Sequence, residues 1–358
     1  MGPRLTESEM RRNRLRGQLL GGRVAAASVE DVVGTLVGVQ AQDVTAAALA
    51  VRARAPGLTA ADVDRAREER RVVLTWTLRG TRHLHLADDV RRLVALLGPA
   101  FLGPSRRAEQ LGISGAAGEQ AGQALHDALA AEGPLTRAEV KAHLARHGVD
   151  PSGQAAIHVV RRAALEGWLC VVPGERYVLL DDWLGLPADP ADATPPHPGE
   201  LARRYLAAFG PATPADFAAW SGLGAAAARQ AWSAIAGDVV EVEGPSGPSW
   251  LLAGVAWVTR RRPAAGVRLL GAFDSLLLAY ADRRLHLSPE HASLVNPGGG
   301  MVKALVAVDG VVAGTWTRPA GRVEVQPFRP LTGDESAAVE REAADVVRFL
   351  TPDPSPRT

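Results

Sequence analysis

Residues 71–86 read RVVLTWTLRGTRHLHL, and this stretch decides the fold class. Two runs of β-branched and alternating apolar residues flank a short turn there, which predicts a two-stranded ribbon. Helical patterns precede the ribbon: Ser28 marks one helix start, and Thr59, with an acid three residues later, marks another. Helices followed by a two-stranded ribbon are the signature of a winged helix.

A pair of glutamines lies before the ribbon, at the end of an apolar run. The pattern predicts one helix from Ser28 to Gln40 and Gln42, a second over residues 44–54 and a third over residues 59–71. Two amides spaced two residues apart, where the chain turns, could converge on one small ligand such as water. They could equally cap a helix or bond to neighbouring backbone groups.

The same order of elements recurs twice. After a linker over residues 112–122, helices open at Thr136 and Ser152 and a hairpin covers residues 168–180; a third copy begins at Leu201. Three copies followed by β-rich sequence predict an α+β fold of tandem winged-helix units and a C-terminal β-rich domain. The predicted domains are winged helix 1 with the glutamines (1–110), winged helix 2 (120–186), winged helix 3 (199–262) and the β-rich domain with a hairpin and a C-terminal helix (263–358).

The β-rich domain is predicted from short apolar runs separated by turns. One run over residues 275–280 is expected to be a strand, and Asp309-Gly310 is a strong two-residue hairpin signal. Three glycines at residues 298–300 follow Asn296-Pro297 and predict a flexible hairpin tip between strands.

Composition excludes several classes of protein. Hydrophobic residues make up 47% of the 358, enough for packed cores, and the single cysteine, Cys170, excludes internal disulfides and multi-cysteine zinc sites. No stretch approaches the roughly 18 apolar residues of a membrane span, and no signal peptide is recognisable, so we expect a cytoplasmic protein without membrane contact. No metal site and no cofactor are expected.

The charge distribution favours a nucleic-acid partner. Residues 1–107 contain 18 Arg and 11 acids, whereas the remainder contains 22 Lys plus Arg and 28 acids. Winged helices usually bind duplex DNA, although some serve as protein-interaction modules. His83 and His85 are interpreted as wing residues that face DNA or solvent rather than as zinc ligands. The candidate DNA-binding residues are Arg79, Arg82, His83, Arg260, Arg261, Arg262, Asn296, Gly299 and Lys303.

Four stretches taken together resemble the AlkZ/YcaQ family of bacterial DNA glycosylases, also described as winged-helix DNA-binding proteins. They span nearly the whole chain. They are VQAQD (39–43), WTLRGTRHL (76–84), LLGAFD with YADR (269–274 and 280–283) and VDGVVAGTW (308–316).

The resemblance implies that Gln40 and Gln42 are catalytic, because they fall on the family's motif of Gln, an apolar residue, then Gln or Asp. Gln at position 42 is similar to the AlkZ branch, whose founding member protects an antibiotic producer from the DNA crosslinker azinomycin. The family also implies three winged helices around a concave basic surface, and a hairpin that reaches DNA, here at about residues 291–303.

This chemistry is physically reasonable, because a purine alkylated at N7 is cationic and leaves as a neutral base. The enzyme must then mainly position a water molecule, which two neutral amides can do. A strand-cleaving lyase needs a lysine nucleophile, and Lys141 and Lys303 are the only lysines. We therefore expect a monomeric, monofunctional glycosylase that excises N7-alkylated purines and unhooks interstrand crosslinks in double-stranded DNA. The alternatives are a non-enzymatic winged-helix transcriptional regulator and a lesion-sensing scaffold.

Overall fold

The computed structural model describes residues 2–21, 26–150, 152–186, 195–255 and 266–351. No helix in these ranges is both long and apolar enough to cross a membrane. Their α-helices are α1 Glu7–Gly17, α2 Val29–Thr35, α3 Val44–Arg52, α4 Ala60–Glu68, α5 Ala87–Leu97, α6 Arg106–Gln110, α7 Gly115–Glu132, α8 Arg137–Arg146, α9 Ala155–Leu165, α10 Leu180–Leu184, α11 Pro198–Phe209, α12 Pro214–Ser221, α13 Ala225–Ser233, α14 Ser275–Leu278, α15 Ala292–Val295 and α16 Gly333–Leu350.

The strands confirm that the chain mixes helix and sheet, as an α+β fold requires. Contacts divide the chain into two units, Met1–Arg65 with His197–Thr358 (unit 1) and Ala66–Pro196 (unit 2). The strands are β1 Val39–Gln40, β2 Val72–Trp76, β3 Arg82–Leu86, β4 Leu169–Val172, β5 Arg176–Leu179, β6 Val239–Gly244, β7 Gly247–Leu252, β8 Val267–Leu270, β9 Leu305–Val308, β10 Val311–Thr317 and β11 Glu324–Pro327.

Unit 1 contains an antiparallel sheet in the order β11-β10-β9-β8 and the separate hairpin β6-β7. The predicted turn at Asp309-Gly310 joins β9 to β10, and both residues have positive φ, as a type I′ hairpin turn requires. Helix α16 begins with a capping box between Thr332 and Glu335 and packs on β8 and α3. The core of this unit is formed by apolar residues of α1, α14 and the sheet, among them Leu15, Leu276 and Leu305.

Unit 2 is built on one antiparallel sheet that includes the order β3-β2-β4-β5. The ribbons predicted at residues 71–86 and 168–180 are both present, but Leu74 of β2 pairs with Val171 of β4. The two ribbons therefore share one sheet. Cys170 lies fully buried in its core, where burial raises the pKa of the thiol.

Three local predictions were wrong. Residues 275–280 are not a strand: Asp274 accepts a hydrogen bond from Leu276 N and starts α14 instead. The expected linker over residues 112–122 is mostly helix α7, whose small and apolar residues face the core every three or four positions. Ser152 does not cap α9, because its hydroxyl donates to Asp150 Oδ1 at 2.7 Å.

Candidate active site

The predicted catalytic pair lies in a turn of unit 1, residues 37–43, which we call the glutamine turn. Helix α2 starts with a capping box at Ser28, as predicted, but it ends at Thr35 and does not reach the glutamines. Val37 stops it by adopting the left-handed region at φ 62°, with its N–H donating to Gly34 O at 3.2 Å. This conformation is costly for a β-branched residue and often marks a functional position.

Gln40 and Gln42 flank a buried residue of the turn. Burial alternates along the segment: Val39 and Ala41 are buried, Gln40 is half-buried and Gln42 is exposed. Strand β1 covers Val39 and Gln40 only, and the chain bends at Gln42 and Asp43. The buried Ala41 therefore separates two more accessible positions, which are those of the two amides.

Asp43 is the carboxylate next to the glutamines, and it serves as the N-cap of α3. Its Oδ1 accepts from Thr45 N at 2.8 Å and from Ala46 N at 3.3 Å. This bonding stabilises the start of α3 and offsets the partial positive charge of the helix N-terminus. Asp43 Oδ1 is thus occupied at the start of α3, and the amides of Gln40 and Gln42 are the neutral polar groups of the motif.

A buried ion pair fixes the chain that follows α3. Arg54 Nη1 and Nη2 contact the two carboxylate oxygens of Asp274 at 2.8 and 2.9 Å, and neither side chain has any exposed surface. Arg54 Nε also donates to Gln18 O at 3.0 Å. A bidentate pair with extra hydrogen bonds is the geometry in which burial of two charges is tolerated.

The same stretch, residues 269–274, packs closely against α3. Arg52 Nη2 donates to Leu269 O at 2.7 Å. A Cβ at Gly271 would lie 2.7 Å from Ala46 O, so only glycine permits this approach. The family-like residues LLGAFD therefore have a structural role: they hold the helix that begins at the glutamine turn. Arginines within an apolar helix were the sequence signal for this role, and the prediction missed it.

The other polar turn, which we call the arginine turn (residues 77–83), joins β2 to β3 in unit 2. Arg79 has φ 55° and Gly80 has φ 63°, and Gly80 N donates to Thr77 O at 2.8 Å. Arg161 of α9 donates from Nε to Gly80 O at 3.1 Å. This contact could not be predicted from local sequence, because the two residues are 81 positions apart.

The exposure predicted for His83 and His85 was wrong, since each ring is only 1% exposed. Both faces of β3 are covered, unlike those of a wing with one solvated face. His83 Nδ1 donates to Thr81 O at 3.0 Å, and Nε2 accepts from Arg79 Nη2 at 3.3 Å. Burial, and then the charge of Arg79, lowers the pKa of His83 well below its usual value. A neutral His83 thus supports the Arg79 guanidinium.

The remaining predicted DNA-binding residues differ in their exposure and in the partners that they already contact. Arg82 Nη2 pairs with Glu175 Oε1 at 2.7 Å, so a phosphate would compete with a carboxylate for it. Residues 296–303 form a glycine loop after α15 and not a hairpin tip between strands. Asn296 donates from Nδ2 to Ala292 O, whereas Gly299 and Lys303 are exposed. Residues 260–262 lie outside the described residues.

Comparison with known proteins defines the class. The family model described as DNA glycosylase AlkZ-like matches residues 33–349, so the chain belongs to this family of DNA glycosylases. An interstrand DNA cross-link repair glycosylase of Streptomyces sahachiroi is 30% identical over 342 residues, which cover 90% of each sequence. The solved structure of Streptomyces sahachiroi DNA glycosylase AlkZ matches 97% of each chain with a TM-score of 0.79 and 27% identity. The resemblance drawn from the four stretches is confirmed.

Proposed function

We propose that this chain is a monofunctional DNA glycosylase that excises N7-alkylated purines and unhooks interstrand crosslinks. The observation that carries the proposal is the position of Gln40 and Gln42 on either side of the buried Ala41, in a turn that follows the left-handed Val37. The relative from Streptomyces sahachiroi, named for interstrand cross-link repair, supports this class of substrate.

The two amides orient a water molecule toward the sugar carbon of the damaged nucleotide. An N7-alkylated purine carries a positive charge and departs as a neutral base, so the leaving group needs little help from a general acid. Amides are poor bases but accept and donate hydrogen bonds in fixed directions. Positioning a water molecule is therefore the contribution that this site makes, and unalkylated purines should react very slowly.

The reaction stops at base release. A glycosylase that also cleaves the strand forms a Schiff base through an amine, and the glutamine turn contains no lysine. Of the two lysines in the sequence, Lys141 lies on α8 in unit 2 and Lys303 lies on the glycine loop. The expected product is an abasic site in an intact strand.

We interpret the helix-and-ribbon units as three winged helices (1–110, 120–186 and 199–262). In this proposal they form a concave basic surface, and the protein binds duplex DNA there as a monomer. Arg79 is the best supported phosphate contact, because its turn is held by Arg161 and His83. Lys303 and the arginines at residues 260–262 are further proposed contacts. The biological role that fits is resistance to a DNA-alkylating natural product such as azinomycin, in the cytoplasm of the producing cell.

The experiment that tests the reaction uses duplex DNA with a single 7-methylguanine. The protein is incubated with it, alkali is added, and strand scission at the lesion is measured. Replacing both Gln40→Ala and Gln42→Ala should abolish release while DNA affinity stays within a few-fold. The matched control replaces two exposed glutamines of α7, Gln120→Ala and Gln123→Ala, and should release the base normally. Undiminished release by the first variant would contradict the assignment.

A further inference from the structure

Unit 2 contains a cavity of about 250 Å³ beside the arginine turn. Its walls combine apolar residues, among them Phe101, Ile113 and Leu165, with polar ones such as His158 and Arg161. A cavity with apolar walls and a few convergent polar groups is the usual form of a small-ligand site. The volume exceeds the ~150 Å³ of an apolar cavity that holds benzene, so there is room for one ring system.

A cation lines this cavity without a carboxylate partner. Arg161 is half-buried and donates from Nε to Gly80 O, and it forms no ion pair with an acid among the described residues. Burial lowers the pKa of Arg161, as expected for a charge removed from water without compensation. Arg162, also at the cavity, is by contrast paired with Glu166 at 2.8 Å. Arg161 is therefore the group that gains most from a negatively charged ligand.

The cavity and the arginine turn share a wall. A Cβ at Gly80 would lie 2.3 Å from Arg161 Nη2 and 3.3 Å from the ring of Phe101, so both cavity residues press on the turn that carries Arg79. His158 also lines the cavity, and burial lowers the pKa of its ring, which keeps it neutral and able to donate and accept hydrogen bonds. An apolar wall, an imidazole and an uncompensated guanidinium together suit a ligand that has both a heteroaromatic ring and a phosphate.

We propose that this cavity receives one displaced nucleotide of the DNA substrate, with the base on the apolar wall and its phosphate on Arg161. The proposal rests on the proposed function in that DNA is taken to be the substrate. The occupant is a nucleotide near the lesion that is not itself crosslinked, because a base tethered to the opposite strand cannot be displaced from the duplex alone. Removing a base from the stack costs a few kcal/mol, least where pairing is already lost, so such a pocket would favour distorted DNA.

The test uses undamaged duplex DNA in which a single 2-aminopurine nucleotide is bulged out, so that no excision is required. Binding of the wild-type chain should shield this base from the quencher acrylamide by about tenfold, as expected for a base lost from solvent to a pocket. Gly103 lines the cavity, and a Cβ there meets nothing within 4 Å, so Gly103→Trp should fill the space and abolish shielding. Gly103→Ala is the matched control and should shield as the wild type does. Equal shielding by Gly103→Trp would overturn the proposal.

A second pair of variants keeps the test decisive if the tryptophan prevents folding. Arg161→Gln should weaken binding of the bulged duplex about tenfold and reduce the slope of log affinity against log salt by about 0.7. Arg161→Lys keeps the charge and should preserve the slope. An unchanged salt slope in Arg161→Gln would show that Arg161 does not contact a phosphate, and it would overturn the proposal.

Free 2-aminopurine deoxynucleotide monophosphate, titrated in parallel, distinguishes DNA from a free nucleotide as the source of the ligand. Shielding of the free nucleotide without shielding in the duplex would overturn the assignment to DNA, whereas shielding in the duplex supports it. Release of 7-methylguanine by each variant is measured separately. That assay decides the proposed function, so a failure of either idea is recognised independently of the other.

Discussion

The glutamine turn and the arginine turn are alike in backbone and opposite in chemistry. Each places a non-glycine residue in the left-handed region, Val37 at φ 62° and Arg79 at φ 55°. The glutamine turn presents two neutral amides and commits its only acid, Asp43, to capping α3. The arginine turn presents a guanidinium that rests on a buried neutral histidine. Positive φ thus marks both candidate sites, but it does not indicate which chemistry they perform.

The two turns also differ in what holds them. The helix that leaves the glutamine turn is fixed by charged groups, the ion pair of Arg54 with Asp274 and the bonds of Arg52. The arginine turn is held by Arg161 on Gly80 O, by the His83 ring between Thr81 O and Arg79, and by the pair of Arg82 with Glu175. A site that orients a water molecule needs a rigid frame, whereas a site that binds phosphate needs a positively charged side chain within reach of the DNA backbone.

The largest expected effect comes from breaking the frame of the glutamine turn. Asp274→Ala leaves the Arg54 charge buried without its partner and should lower the free energy of unfolding by about 3–5 kcal/mol. Urea unfolding of the wild type and of each variant measures this loss of stability. Asp282→Asn is the control, because its pair with Arg284 is exposed and should contribute at most about 1 kcal/mol. Equal losses in the two variants would show that the buried pair is not what holds α3.

Much of the fold and part of the site could be predicted from local sequence. Capping residues such as Ser28 and Thr136, and the turn at Asp309-Gly310, act within a few residues and were predicted correctly. The burial of His83 and the role of Asp274 could not be predicted, because the partners that cover or pair with them are distant in sequence. In the sequence, His83 and His85 alternate with the apolar Leu84 and Leu86, which predicts that the histidines face away from the core. The coverage of both faces of β3 makes His83 a core residue.

The second prediction concerns the close approach of Gly271 to α3. Gly271→Ala places a Cβ 2.7 Å from Ala46 O, a backbone atom that cannot move without shifting the helix. We expect a loss of about 1–3 kcal/mol of stability, together with slower base release at unchanged DNA affinity. Single-turnover kinetics and binding titrations separate the two effects. Gly237→Ala, where a Cβ meets nothing within 4 Å, is the control; a rate as low in that variant would mean that the effect is not specific to α3.

The third prediction concerns the charge on the arginine turn. Arg79→Ala should weaken DNA binding about tenfold and lower the slope of log affinity against log salt by about 1, because one phosphate contact is lost. The rate of base release at saturating DNA should not change. Arg65→Ala, an exposed arginine paired with Asp62, is the control. If Arg79→Ala slowed release at saturation but left the salt dependence intact, the division between the two turns would be wrong.

The smallest effect is a difference in how the two turns respond to pH. The amides of the glutamine turn do not titrate, so the rate of base release should not change between about pH 6 and pH 8. A carboxylate or imidazole base would instead make the rate fall at low pH.

His83 has a pKa well below its usual value in the folded protein, because burial and the Arg79 charge disfavour its protonation. The unfolded chain therefore binds this proton more readily. Above the usual histidine pKa the ring is neutral in both states, so the free energy of unfolding keeps its full value. Below about pH 6.5 the unfolded chain takes up the proton first, and the free energy of unfolding falls by up to about 1.4 kcal/mol for each pH unit. Urea unfolding across this range should show a shallower acid limb in His83→Gln than in the wild type, with the exposed His147→Gln as control. If the free energy of unfolding fell equally with decreasing pH in all three proteins, His83 would not be the buried neutral histidine that bonds to Arg79.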